Sequence, residues 1–107
     1  MRILFDQGTP APLRQALAAD RVETAFERGW GNLLNGDLLD AAEREGFEVL
    51  ITTDQNLHSQ QNLSGRTIAI VVLTTTSWPR IQRHQHSVTA AIDGLKAGDY
   101  VELSFAR

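Results

Sequence analysis

Three uninterrupted apolar runs, each closed by polar residues, constrain the fold of this chain more than any other feature. They cover residues 2–5, 47–53 and 68–73, and they are followed by Asp6, Asp54 and the hydroxyl-rich segment 74–77. A strand with one face in water alternates apolar and polar residues, whereas a strand buried on both faces is apolar throughout. The runs therefore predict buried strands of a parallel sheet. Residues 22–26 form a shorter and weaker strand candidate.

Segments with helical spacing of apolar residues lie between these runs. The spacing predicts helices over residues 10–19, 37–45 and 77–96, and a short helix or a loop over residues 55–63. Asn35 and Ser77 are the predicted N-caps, and Gly46 is the predicted glycine after the second helix. Pro79 lies in the first turn of the third predicted helix. Backbone N–H groups have no partner within the helix at this position, so proline removes no helical hydrogen bond there.

The last residues of the chain follow a different pattern. Val101, Leu103 and Phe105 alternate with polar residues, which is typical of a half-exposed strand at the edge of a sheet. The element order βαβαβ(α)βαβ then predicts a three-layer α/β/α sandwich with a mainly parallel sheet of about five strands. The length of 107 residues leaves room for a single domain over residues 1–107.

Composition excludes several classes of protein. The chain has no cysteine, so a disulfide framework, a thiolate zinc site and thiol catalysis are ruled out. The net charge of −3 argues against a wholly basic nucleic-acid coat but leaves room for a local binding site. The longest apolar run, 68–73, is too short to cross a bilayer, and Asp6 interrupts the amino-terminal one. We expect a soluble cytoplasmic protein with no membrane contact.

Three carboxylates are placed to meet at one edge of the predicted sheet. Asp6 and Asp54 each follow an apolar strand, and Asp37 lies in the first turn of a predicted helix. Functional groups of open α/β sheets gather at the carboxyl ends of the strands. Converging carboxylates repel one another unless a cation or protons intervene, and hard oxygen ligands favour Mg²⁺ or Mn²⁺. Each Asp alone is more often a turn or capping residue, so the hypothesis depends on their combination.

Three segments that contain these residues resemble motifs of the DUF5615 (Mut7-C-like) group of PIN-like proteins. Residues 3–10, ILFDQGTP, resemble the group's LLDENLP opening; residues 35–39, NGDLL, resemble its D-x-x-I/L-L segment; and residues 50–57, LITTDQNL, resemble its VLVTRDKDF segment. The resemblance follows the motif order over nearly the whole chain. It implies a PIN-like fold and, by analogy with PIN nucleases, an RNA-cleaving site that uses Mg²⁺ or Mn²⁺.

The resemblance also implies residue roles and partners. Asp6, Asp37 and Asp54 take the positions of the catalytic metal ligands, and many proteins of this kind resemble toxins that pair with a protein antitoxin. PIN domains are often dimers, so a homodimer is a further expectation. The chain departs from the group at Gln7 and Asn56, where the motifs have acidic residues. These departures keep an alternative open, namely a non-catalytic module that binds RNA or an antitoxin-like protein.

Other polar residues are candidates for contacts with RNA. Arg80 and Arg83, with two nearby histidines, form the densest basic patch, and Gln7, Gln55 and Asn56 offer amides beside the acidic residues. A solvated helix face is the commoner explanation of such a patch. The histidine spacing does not suit a zinc site.

The two tryptophans have a functional and a structural interpretation. Trp30 and Trp78 could stack on a base or a partner, but a tryptophan that closes a small core is commoner.

A receiver-like signalling domain also carries Asp at strand ends, but it needs a second acidic residue near Asp6 and a lysine after the fifth strand. The only lysine, Lys96, lies on a predicted helix. This alternative therefore ranks last.

Overall fold

One five-stranded sheet organises the protein. The computed structural model describes residues 1–57 and 63–105. The strands are β1 (Arg2–Phe5), β2 (Arg21–Thr24), β3 (Val49–Thr52), β4 (Ala69–Leu73) and β5 (Tyr100–Leu103). They lie in the order β2-β1-β3-β4-β5, and every neighbouring pair is parallel. The predicted parallel sheet is confirmed, and so is the edge position of the last strand.

Two apolar cores cover the two faces of the sheet. Along the central strands, the odd-numbered residues of β1, β3 and β4 enter one core and the even-numbered residues enter the other. The first core also holds Leu13, Ile81 and Val88. The second also holds Leu39 and Ala42. Apart from Arg2 and Thr52 at their ends, the central strands are therefore apolar, because both of their faces are buried, as expected for a three-layer sandwich.

Four helical segments have been assigned in the described residues. They are a 3-10 helix (Ala11–Leu17), α1 (Asn35–Arg44), α2 (Trp78–Gln82) and α3 (Gln85–Asp93). The predicted helix over residues 10–19 is thus a 3-10 helix, whose first bond runs from Leu13 N to Pro10 O over 3.1 Å. Pro10 and Pro12 provide no N–H groups for this opening turn. Within the described part of the chain, no helix is long and apolar enough to cross a membrane.

The single helix predicted over residues 77–96 is wrong, because the chain breaks it into α2 and α3. The break falls at Arg83 and His84, and the N–H of His84 bonds to the Ile81 carbonyl at 2.9 Å. Ile81 on one side of the break and Val88 on the other both enter the first core. Both short helices therefore keep apolar residues in the first core on either side of the break.

The helix ends confirm two of the three predicted capping residues. The Ser77 side chain accepts the Arg80 N–H at 3.4 Å, and Gly46 follows α1 with φ of 82°. Asn35 is not an N-cap. Leu34 holds that position, and Asn35 is the first residue of α1. Its side-chain amide donates instead to Asp54 at 3.1 Å, so a tertiary contact has replaced the expected local one.

Candidate functional site

Asp6 and Asp54 lie at the same edge of the sheet, as predicted. Asp6 directly follows β1, Asp54 follows β3 by two residues, and the two strands are neighbours. The Asp6 N–H continues the ladder with a 3.1 Å bond to the Ile51 carbonyl. The strand order changes direction between β1 and β3, since β2 lies on the outer side of β1. Ligands of doubly wound sheets bind at this kind of switch point.

A buried threonine joins the two aspartates. The Thr52 hydroxyl donates to Asp6 Oδ2 and accepts the backbone N–H of Asp54 at 3.1 Å. Only 1% of Thr52 is exposed. Because residues alternate between the faces of a strand, Thr52 shares the face of Leu50, which packs under α1. The aspartate pair is therefore on the α1 side of the carboxyl edge.

The loop after β1 folds around the Asp6 carboxylate. Asp6 Oδ1 accepts the Gly8 and Thr9 N–H groups, each at 3.2 Å, and contacts the Thr9 hydroxyl at 2.8 Å. This arrangement holds the turn together, which is the structural role that an Asp after a strand commonly has. A Cβ at Gly8 would collide with the Thr53 hydroxyl, so a larger residue here would need the Thr53 side chain to move. Oδ1 is saturated by these contacts, whereas Oδ2 has Thr52 as its one donor among the described residues.

Asp54 is half-buried and, in the part of the chain that the structure describes, two donors hold it. Its Oδ1 accepts the Asn56 N–H at 2.9 Å, and its Oδ2 accepts the side-chain amide of Asn35. Each oxygen has room for a further ligand, since a carboxylate oxygen can accept about two hydrogen bonds. Asn35 is a site residue that sequence reasoning treated only as a helix cap. Its position two residues before Asp37 in the NGDLL segment was the available signal.

Asp37 lies in the first turn of α1, as predicted, and its side chain is exposed. Across residues 1–57 and 63–105, no group of three or more histidine or acidic side chains is arranged to hold a metal ion. A ligand role for Asp37 alongside Asp6 and Asp54 stays a prediction.

Among the described residues, no salt bridge balances the negative charge at this edge. Salt bridges in the described residues use six other acidic residues: Asp20, Glu23, Glu27, Asp40, Glu43 and Glu45. None of them involves Asp6, Asp37 or Asp54. Mg²⁺ often takes one or two carboxylates and completes its shell with waters and substrate phosphates. Asp6 Oδ2 and Asp54, as hard oxygen donors with open positions, fit that pattern.

Tyr100 and Glu102 add a feature that sequence reasoning missed. Burial raises the pKa of the Tyr100 phenol above 10.0, and the negative charges of Glu102 and Asp54 raise it further. The hydroxyl donates to Glu102 at 3.3 Å. The phenol therefore stays protonated and lies within electrostatic reach of Asp54. In the sequence, these residues carried only the alternating pattern of an edge strand.

The predicted amide residues line the loops around the aspartates. The Gln55 amide donates to the Thr74 carbonyl at 3.3 Å and so ties the loop after β3 to the loop after β4. Gln7 is exposed and lies beside Gly31, where a Cβ would come within 2.6 Å of the Gln7 amide nitrogen. A cavity of about 160 Å³ is lined by Asp6, Gln7, Asn35 and neighbouring residues. Residues 58–62, HSQQN, continue the amide-rich segment after Asp54 and lie outside the described residues.

The predicted basic patch lies on the helix that starts after β4. Arg80 is half-buried in α2, and Arg83 is exposed at its end. Neither arginine forms a salt bridge in the part of the chain that the structure describes. The segment before α2 starts at the same carboxyl edge as Asp54, to which Gln55 connects it. The two arginines thus belong to the helix that follows the loop after β4, and Gln55 ties that loop to the loop that carries Asp54.

The tryptophans have structural positions. Trp30 packs against the second core and meets the Phe47 ring edge-on, with centroids 6.0 Å apart. Trp78 packs against the first core at the start of α2. The commoner explanation, a tryptophan that closes a small core, is consistent with both positions.

Comparison of the chain with protein-family models, with curated proteins and with solved structures found no match.

Proposed function

We propose that this protein is a PIN-like ribonuclease that depends on Mg²⁺ or Mn²⁺, with Asp6 and Asp54 as its principal carboxylates. The observation that carries the proposal is the Asp6–Thr52–Asp54 chain of hydrogen bonds at the switch point of the sheet. No salt bridge of the described residues compensates either carboxylate. An uncompensated pair of fixed carboxylates favours a divalent cation.

A bound metal ion would activate water and stabilise charge on the phosphate that is attacked. The chain's own residues prepare the site. The donors around Asp6 hold its carboxylate in place and fix the direction of Oδ2. The Asn35 amide orients Asp54 from the start of α1. Asp37, in the same first turn, is the proposed third carboxylate.

The proposed substrate is RNA, and the proposed biological role is that of the toxin of a toxin–antitoxin pair. Arg80 and Arg83 would contact the phosphate backbone, because they have no acidic partner in the described residues. Gln7, Gln55 and Asn56 would add polar contacts next to the carboxylates. A negatively charged protein needs such a local basic site to hold RNA.

A second candidate function is a non-catalytic module that binds RNA or an antitoxin-like protein. The specific observation in its favour is that the turn after β1 saturates Asp6 Oδ1, which is the structural use of an aspartate at this position. The amides of Gln7 and Asn56 also leave the site with fewer charges than the motifs it resembles. Both candidates use the same edge of the sheet, so binding alone does not distinguish them.

The deciding experiment is cleavage of end-labelled single-stranded RNA with Mn²⁺, with Mg²⁺ and with EDTA. We expect the wild type to cut only with metal and Asp54→Asn to lose cleavage while it still binds RNA. Asp93→Asn, at the exposed end of α3, is the control and should cut normally. RNA binding by the wild type without cleavage under either metal would reject the enzyme and leave the binding module. Absence of both activities would reject RNA as the ligand.

A further inference from the structure

Phe26 is the most exposed large apolar side chain among the residues that the structure describes, since 79% of it is accessible to solvent. It lies two residues beyond β2, in the turn that leads towards α1. The sequence suggested Trp30 and Trp78 as stacking residues, but both pack against the cores. Phe26, in contrast, leaves its ring open to a ligand.

Hydrogen bonds fix the backbone of the turn that carries Phe26. The Phe26 carbonyl accepts the Gly29 N–H at 3.0 Å. Thr24 and Glu27 close the turn reciprocally: the Glu27 carboxylate accepts the Thr24 N–H at 2.9 Å, and the Thr24 hydroxyl accepts the Glu27 N–H at 3.0 Å. An ion pair with Arg14 at 2.5 Å holds the Glu27 carboxylate in place. A ring on a fixed backbone loses less conformational entropy on binding than one on a mobile loop.

Phe26 lines a cleft of about 470 Å³ that opens beside the proposed catalytic site. Asp6 and Gln7 line the same cleft, and its other lining residues are Thr9, Ala11 and Thr24. Its volume is within the range of pockets that bind small molecules or parts of larger ones. Because Asp6 belongs both to the cleft and to the proposed catalytic pair, a nucleotide whose phosphate lies at the pair would have this cleft next to it.

The chemistry of the cleft suits a nucleobase better than a phosphate. The described residues that line it include no lysine, arginine or histidine, so it offers no cation to a phosphate group. It offers instead the Phe26 ring and the exposed Gln7 amide, which carries both donors and an acceptor. A nucleobase has a flat face that stacks on an aromatic ring and an edge that forms hydrogen bonds.

We propose that this cleft is a nucleobase subsite, in which Phe26 stacks on one unpaired base of RNA and Gln7 forms hydrogen bonds with the edge of that base. The inference rests on the proposed function, because the base belongs to the RNA whose phosphate would lie at Asp6 and Asp54. A base within a duplex is stacked between its neighbours and cannot enter such a cleft. The subsite therefore selects single-stranded RNA.

The first test separates recognition of the base from recognition of the backbone. It measures binding of a short oligoadenylate, and of a ribose–phosphate chain of the same length without bases, by fluorescence anisotropy in EDTA. We expect Phe26→Ala to weaken binding of the oligoadenylate about five- to 150-fold and to leave binding of the chain without bases unchanged. Phe26→Tyr keeps the ring and should bind both ligands as the wild type does.

Leu34→Ala is the matched control for Phe26→Ala. Leu34 is also apolar and is 78% exposed, so both substitutions should leave the fold intact and remove a similar exposed surface. Leucine has no ring on which a base can stack, and we expect Leu34→Ala to bind both ligands normally. An equal loss of affinity for oligoadenylate in the two alanine variants would overturn the stacking role of Phe26.

The outcomes distinguish the base subsite from the proposed function. Equal affinity of the wild type for the two ligands would overturn the subsite and leave a protein partner as the ligand of Phe26. The proposed function would remain if the wild type still cut RNA with Mn²⁺. Binding of oligoadenylate that depends on Phe26 but leads to no cleavage with metal would support the subsite and reject the enzyme. Failure to bind either ligand would reject both.

A photochemical test locates the base on the protein. On irradiation, 5-iodouridine in a short single-stranded RNA forms a covalent bond with an aromatic side chain on which it stacks. We expect mass spectrometry to find the cross-link at Phe26 and Phe26→Ala to lose it. A cross-link at Trp30 or Trp78 in place of Phe26 would overturn the assignment of the subsite to this cleft.

Discussion

The hydroxyl group of Thr52 donates a hydrogen bond to the carboxylate of Asp6. The two residues are 46 positions apart, and they meet because β1 and β3 are neighbours in the sheet. Thr52 is the polar residue that ends the buried apolar run of β3, and Asp54 follows two residues later. Its hydroxyl is satisfied on both sides, as donor to Asp6 and as acceptor of the Asp54 N–H. The contact therefore couples the stability of the sheet edge to the geometry of the proposed site.

Thr52→Val tests this coupling. Valine has nearly the same shape but leaves a buried N–H and a carboxylate oxygen without the hydroxyl, so we expect a loss of about 1–3 kcal/mol in the free energy of unfolding. Thr52→Ser keeps the hydroxyl and loses one methyl group, at a cost of about 1 kcal/mol. Urea unfolding measures both values. A valine variant as stable as the wild type would show that the hydroxyl contributes no net stability.

Divalent metal should stabilise the folded protein, because the paired carboxylates exist only in the folded state. At a Mn²⁺ concentration ten times the dissociation constant, the expected gain is about 1.4 kcal/mol, seen as a rise in melting temperature. Asp54→Asn should abolish the rise, and Asp93→Asn should keep it. Asp37→Asn tests the third predicted ligand, since an unchanged rise would remove Asp37 from the site. No rise in the wild type at millimolar metal would assign the acidic pair a structural role alone.

Replacement of Arg80 and Arg83 by alanine should weaken RNA binding and flatten its dependence on salt. Each phosphate contact with a single strand contributes about 0.7 to the slope of log affinity against log salt concentration, so the double variant should lose up to about 1.4. The matched control replaces two other exposed arginines, Arg21 and Arg44, which lie at the start of β2 and the end of α1. Fluorescence anisotropy at several salt concentrations measures the slopes. Equal slopes for both double variants would exclude α2 as the RNA contact.

Glu43 should make stability depend on pH in the acidic range. Burial alone would raise its pKa, but hydrogen bonds from Arg66 and from the N–H groups of Thr67 and Ile68 outweigh it and lower the pKa below 4.5. A group whose pKa is lower in the folded protein stabilises it above its unfolded pKa and loses that contribution as pH falls through the folded pKa. At pH 7, we expect Glu43→Gln to cost about 1–3 kcal/mol.

The control for this prediction is the pH dependence itself. The difference in the free energy of unfolding between wild type and Glu43→Gln should shrink below pH 4.5. Protonation of Glu43 in the wild type then removes the same negative charge that the substitution removes. Unfolding free energies at neutral and acidic pH measure it. A difference that stays constant across this range would mean that the cost of Glu43→Gln comes from packing and not from charge.

Much of the site's location could be predicted because it depends on patterns that are local in sequence. Asp6 directly follows an apolar run, so it lies at the carboxyl end of a strand. This holds regardless of which other strands pair with that strand. The same holds for Asp54, and for Ser77, whose capping bond reaches only three residues along the chain. Gly46 was predictable for the same reason, since a positive φ after a helix is a local requirement.

The donors around the carboxylates could not be predicted in this way. Asn35 was expected to cap its own helix, but the folded chain brings Asp54 within 3.1 Å of its amide. The break between α2 and α3 was likewise not predicted, because Ile81 and Val88 keep the spacing of one helix in the sequence although they enter the first core from two helices.

The sequence by itself determined which segments are strands, that the central ones are buried on both faces, and that Asp6 and Asp54 close two of them. These properties follow from side-chain type and spacing, which act over a few residues. Only the tertiary structure decided that β1 and β3 are neighbours, that Thr52 and Asn35 hold the aspartates, and that Arg66 reaches Glu43 from another part of the chain. Each of these depends on contacts between residues far apart in the chain. The type and spacing of side chains over a few residues do not predict such contacts.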